Sequence, residues 1–357
     1  MKTPILPFAP RFAVLLAGAL SLPLLTGCLD KSTVATVPDA ENQLFTPDGR
    51  LIVTGGTGAF EIVRSGSGYA AQPIAADVSG SCNYVGLAQV GAWVFTACQQ
   101  KANLFAAPDN HLLAAKVVAG QPLHFLQVPR PSPDPMDTLG LPNGMAVSPT
   151  GQLLLADSNL TGWQGGVARL TLDLGGSVPA VTRFEANWLG SAQHLMHPNG
   201  VRVAGKELFI SDLNYVKRYQ FDGAGNVPAT LPSPYGPVAN EVTVYSTLSV
   251  LDDIQPLCGG LAIDDFLGGK LVYMAPAEPD AYGRPTYRQT WASAPLSLQQ
   301  PSSVQVGRGP LFSGTDVLVT EKGVIGDETS GYGNKLSRIQ SPLDLNDPAS
   351  CTQLNGG

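Results

Sequence analysis

A chain of 357 residues with 40 glycines, 30 prolines and only 14% charged residues is suited to strands joined by tight turns, with few surface helices. Its net charge of −7 argues against a nucleic-acid partner, which requires clustered Lys and Arg. Beyond the first 28 residues no apolar run is long enough to span a bilayer as a helix.

Those first 28 residues stand apart. Lys2 and Arg11 precede the apolar stretch AVLLAGALSLPLLTGC, the pattern of a secretory signal. Its end, Leu25-Thr26-Gly27-Cys28, resembles the bacterial lipobox, in which the Cys is acylated and becomes the mature N-terminus. The resemblance implies a lipid anchor on Cys28 as the one membrane contact. Leu29 stands where the inner-membrane retention signal has Asp, so the expected location is the cell envelope, at the outer membrane facing the periplasm. Residues 29–40 read as a tether, 41–345 as one folded domain and 346–357 as a C-terminal tail.

The folded part repeats itself. ENQLFTPDGRLIVTG at 41–55 shares its plan with LPNGMAVSPTGQLLLADS at 141–158 and HPNGVRVAGKELFISDL at 197–213. In each, an alternating apolar run, a turn and a second apolar run follow one another, which predicts a β-hairpin. Weaker copies are YVGLAQVGAWVFTA at 84–97, CGGLAIDDFLGGKLVYMA at 258–275, and PSSVQVGRG with DVLVTEKG between 301 and 323. The equivalent positions Glu41, Val85, Asn143, Asn199, Gly259 and Ser302 lie 43 to 60 residues apart. Such spacing fits four-stranded blades with generous loops, and six starts predict an all-β, six-bladed β-propeller. Ring closure is expected from the segment before Glu41 pairing with a late strand, whose identity the sequence leaves open.

Thr54-Gly55-Gly56-Thr57-Gly58 follows a strand and imitates a dinucleotide-binding loop, but AFEIVRSGSG after it cannot be the required helix. It reads as a hairpin turn. The Pro-rich stretches 128–142, 227–240 and 276–286 read as loops of the kind that shape a site at one end of a propeller. Four cysteines remain after Cys28, an even number that favours disulfides in an exported chain. Cys82 and Cys98 flank one hairpin, and Cys258 with Cys351 would tie the fifth blade to the tail, although four cysteines allow three connectivities.

In a propeller the residue opening each innermost strand stands at the mouth of the central channel. Three such positions carry oxygen donors, Glu41, Asn143 and Asn199. One carboxylate and two amide carbonyls suit a hard divalent cation; the competing reading of Pro-Asn-Gly is a turn whose Asn bonds its own backbone. The repeats and the two Pro-Asn-Gly strands, over roughly 36–340, resemble the SMP-30/gluconolactonase/LRE-like family of six-bladed propellers. Strictosidine-synthase-like and paraoxonase-like propellers are kin to it. The resemblance implies a Glu, Asn residues and an Asp around Ca²⁺, or another divalent cation such as Mg²⁺ or Zn²⁺. Glu41, Asn143 and Asn199 match, whereas Gly259 stands where the Asp is expected, and Asp252 or Asp253 just upstream is the substitute, with Asp253 taken as the ligand.

The implied chemistry is hydrolysis of a small-molecule lactone or ester, with His197 and Asp253, then His194, as candidate bases. Asp157 and Asp212 are expected to bond backbone in turns. A reading of another class is a non-catalytic propeller that binds a small ligand or an envelope protein partner.

Overall fold

The computed structural model describes residues 30–355, except 79, 101–108, 130–134, 160–164 and 191–192; the expected signal segment and Cys28 lie outside them. Six antiparallel blades form a ring, a six-bladed β-propeller. In blade 1 the strands are Ala40–Phe45, Leu51–Gly55, Gly58–Ser65 and Gly68–Pro73, from the channel outward. The innermost strands of blades 2 to 6 are Asn83–Val90, Pro142–Val147, Pro198–Ala204, Leu251–Leu257 and Pro301–Val306.

The second strand of each blade explains the ring. LIV at 51–53 and LLLA at 153–156 are apolar at every position and buried, because both faces of the strand are covered by neighbouring blades. Side chains alternate between the two interfaces. Leu51 and Val53 pack with Leu318 and Leu336 of blade 6, while Ile52 packs with Val94 and Leu113 of blade 2. Leu153 and Leu155 face blade 2 and Leu154 faces blade 4. Among the described residues six apolar clusters result, one at each interface between blades.

The strand that closes the ring is Lys31–Thr36, paired antiparallel to Gly333–Gln340 as the outermost strand of blade 6. Half of the expected tether 29–40 is therefore part of the propeller. The reason is apolar: Val34, Ala35 and Val37 are buried in the blade 6–blade 1 interface.

A second revision concerns blade 5. Its innermost strand is LDDIQPL, and CGGLAIDD supplies the hairpin turn and second strand. Cys258 and Gly259 form that turn with φ of 53° and 74°. Gly259 is thus at the far end of the channel from the mouth. The loops 227–240 and 276–286 join third to fourth strands and also lie at that far end. Both disulfides form as expected, Cys82–Cys98 and Cys258–Cys351, the second tying the short helix Pro348–Leu354 to blade 5. Gly56 and Thr57 make the hairpin turn read from the sequence.

Candidate metal centre at the channel mouth

The mouth is defined by a shared irregularity. In blades 1, 3, 4 and 5 the ladder between first and second strands opens after one pair and resumes three residues later. Those pairs are Ala40↔Gly55, Pro142↔Asp157, Pro198↔Asp212 and Leu251↔Asp265. The first residue of each bulge is Glu41, Asn143, Asn199 or Asp252. Blade 6 opens after Pro301↔Glu321 at Ser302, and blade 2 after Val85↔Ala97 at Gly86. Blade 2 is therefore one residue out of step with the expected Val85, and the ring position of blade 5 belongs to Asp252.

Side chains and backbone lock the blades at this level. Ser158 Oγ donates to Pro198 O at 2.8 Å and Ser302 Oγ to Ala40 O at 2.8 Å. Gln99 Nε2 donates to Pro142 O, and Ser211 Oγ to Asp252 O. Gly144 is required by closeness: a Cβ there would stand 2.6 Å from Asn199 O. That contact is the physical use of the Gly in Pro-Asn-Gly, since a side chain would push blades 3 and 4 apart.

Three of the four ring residues have a buried oxygen without a donor. Asn143 Oδ1, Asn199 Oδ1 and Asp252 Oδ1 have no hydrogen-bond partner, and Asp39 Oδ1 beside them has none. The Asn side chains thus do not bond their own turns through these oxygens. Buried acceptors without donors are costly, and a cation bound by oxygen satisfies several at once. A set of two carboxylates and two amides, with no Cys and no ring His, fits a hard cation better than zinc.

Charge is concentrated here. Burial pushes the carboxyls of Asp252 and Asp264 well above the usual carboxylate range, and neighbouring carboxylates add to it. Burial also raises Glu41, against the pull of Lys322. Lys322 reaches in from the second strand of blade 6; its Nζ bonds Glu41 Oε2 and lies 3.3 Å from Asp39 Oδ2. Burial opposes its charge, but Glu41 and Asp39 outweigh that and raise its pKa, so it remains an ammonium.

Arg202 forms the floor. From the innermost strand of blade 4 it donates to Met145 O at 3.0 Å, to Asn42 Oδ1 at 2.9 Å and to Asp253 Oδ2. It therefore joins blades 3, 1 and 5 across the channel. Asp253 is buried, engaged by Arg202 and by the amide of Ile254. The carboxylate expected as ligand and base is thus engaged with the floor of the channel, and the residue that opens the blade 5 bulge is Asp252.

His197 is buried, and its Nδ1 lies 2.8 Å from Ser158 O. A carbonyl only accepts, so Nδ1 donates and the neutral ring carries its lone pair on Nε2. His194 occupies a left-handed turn with φ of 52°, its carbonyl accepting from Lys217 Nζ at 2.8 Å. Asp157 accepts from the amides of Gly140 and Leu141, and Asp212 from those of Met196 and His197. Each fixes the backbone entering its innermost strand, as expected. Sequence reasoning named Asp252 only beside Asp253 and took Asp253, and it missed Lys322 and Arg202. Asp252 was within reach, because LDD precedes a hairpin as LPN does; the two cations carry no local signal.

The carboxyls give a pH dependence of known sign. A carboxyl raised by burial binds more protons in the folded state, so its contribution is full below the unfolded pKa and is lost as pH rises through the folded pKa. Both oxygens of Asp264 are without partners. We expect the metal-free protein to lose stability as pH rises from about 4, and Asp264→Asn to flatten that decline, adding about 1 kcal/mol or more at pH 7. Melting temperatures of parent and variant across pH 4–8 test this; parallel curves would contradict it.

No protein-family model matches the chain, and no curated protein matches it by sequence. Solved structures do match. A luciferin-regenerating enzyme superimposes with a TM-score of 0.55 at 13% identity, covering 87% of this chain and 93% of that one. A Thermus thermophilus protein described as an oxidoreductase (glucose dehydrogenase) gives 0.51 at 15% identity, covering 87% and 99%. The PQQ-bound aldose sugar dehydrogenase of Streptomyces coelicolor gives 0.50 at 14% identity, covering 87% and 96%. The neighbours thus include a six-bladed propeller of the SMP-30/LRE-like kind beside sugar-dehydrogenase propellers. At these identities the likeness is one of fold.

Proposed function

We propose that this six-bladed propeller is a cell-envelope hydrolase, anchored through Cys28 at the outer membrane, that opens a small lactone or ester at its channel mouth. The observation that carries the reading is the ring of Glu41, Asn143, Asn199 and Asp252. These are oxygen donors at equivalent positions of four blades, and three of them have buried oxygens without hydrogen-bond donors. They would hold a hard divalent cation such as Ca²⁺ or Mg²⁺. When bound, such a cation supplies Lewis-acid polarisation of the substrate carbonyl.

The chain's own residues do the rest. The Ser158 carbonyl accepts from His197 Nδ1, which orients the ring of the candidate base beside the innermost strand of blade 4. The Arg202–Asp253 pair closes the channel below, which confines substrate to the mouth. The second reading, a non-catalytic ligand or partner binder, is favoured by one observation: the Lys322 ammonium already neutralises Glu41.

Calorimetric Ca²⁺ titration decides between them. The parent should bind Ca²⁺ saturably, with Glu41→Gln and Asn199→Ala each weakening binding about tenfold or more. Lactone and aryl-ester turnover should follow the same order. A folded parent that binds no divalent cation would exclude the hydrolase reading and favour partner capture.

A further inference from the structure

The ring and Lys322 make competing demands. Lys322 follows Glu321, the register partner of Pro301, so its side chain emerges at the level of the ring. It is 7% exposed, and it holds the carboxylate of Glu41, the blade 1 member of the ring, together with that of Asp39. Yet it leaves Asp39 Oδ1, Asp252 Oδ1, Asn143 Oδ1 and Asn199 Oδ1 without donors. One ammonium therefore neutralises part of the cluster and does not complete it. A divalent cation bound to Glu41 would lie within a few ångströms of the ammonium, where like charges repel strongly in a buried setting. The stem of Lys322 is flexible, and the next residues open into a loop carrying the exposed side chains of Val324 and Ile325.

From this arrangement we infer that Lys322 is the resident counter-cation of the mouth, expelled from Glu41 and Asp39 when a divalent cation enters, so that it sets the affinity of the site. The inference rests on the metal reading above. In the metal-free protein Lys322 prevents the carboxylates from destabilising the ring; in the loaded protein its ammonium stands at the rim, where an anionic product or substrate carboxylate would meet it.

Two measurements test the exchange. Lys322→Met keeps the stem and removes the charge. It should bind Ca²⁺ about tenfold or more tightly than the parent, while Lys322→Arg should not gain affinity. Without metal, Lys322→Met should melt lower than the parent, and Ca²⁺ should raise its melting temperature by more. In the parent, amine labelling read by mass spectrometry should leave Lys322 unmodified without metal and modify it at saturating Ca²⁺. This second measurement stands even if Lys322→Met fails to fold. Saturable Ca²⁺ binding that is unchanged in Lys322→Met, or labelling of Lys322 unaffected by saturating Ca²⁺, would overturn the exchange and leave the hydrolase reading intact. No Ca²⁺ binding by parent or variant would overturn both.

Discussion

Removing the residues before Pro38 should abolish cooperative folding of the propeller. Lys31–Thr36 contributes five register pairs to Gly333–Gln340, from Lys31↔Ile339 to Thr36↔Lys335. The strand and the residue after it also bring Val34 and Val37 into the cluster formed by Phe45, Leu51, Phe312 and Leu336. Burying each valine is worth roughly 1.5–3 kcal/mol, and each ladder hydrogen bond about 1 kcal/mol net. Lys31 Nζ adds a contact to Glu321 at 3.1 Å and to Ser297 O at 2.9 Å. The total approaches the whole stability of a typical domain, about 5–15 kcal/mol. Loss of the strand also leaves Gly333–Gln340 as an open edge, which invites pairing between chains. Thermal unfolding and size-exclusion chromatography of chains starting at Leu29 and at Pro38 check this. The longer should be monomer-sized with a sharp transition; the shorter should aggregate or melt broadly. Equal transitions would show that three strands suffice for blade 6.

Arg202→Met should be the most costly single substitution at the channel. It would strand Asp253, which is 1% exposed, without its counter-charge. It would also leave Met145 O and Asn42 Oδ1 without the donors they now have. Breaking a buried pair on one side typically costs about 3–5 kcal/mol, because the surviving charge stays desolvated. Burial already pushes Asp253 upward and Arg202 is the main influence pulling it back, so the orphaned carboxyl would be pushed further upward. The double variant Arg202→Met/Asp253→Leu should recover most of the loss, since two apolar groups leave no charge to solvate. Chemical denaturation of parent, single and double variants measures the coupling. A single variant within about 1 kcal/mol of the parent would mean that water reaches Asp253 and solvates it.

The repeat, the number of blades and the hairpins are legible in the order of residues alone. Apolar runs such as LLLA and LIV recur with turns between them, and that periodicity is local. The disulfide of Cys82 with Cys98 is equally local, set by one hairpin. Glu41, Asn143 and Asn199 stand out because two of them sit in the same Pro-Asn-Gly context and the third aligns without a gap.

The rest is decided by the ring. In blade 5, LDDIQPL lacks Pro-Asn-Gly and places two aspartates where strands are normally apolar, so CGGLAIDD reads as the better first strand. Only the pairing Leu251↔Asp265 restores the register and brings Asp252 to the mouth. Two adjacent aspartates can be buried there because Arg202 and Lys322 arrive from blades 4 and 6. Lys322 lies 281 residues from its partner Glu41 and Arg202 lies 51 from Asp253. Electrostatic compensation acts through space across a closed circle of blades, and no window along the chain contains both partners.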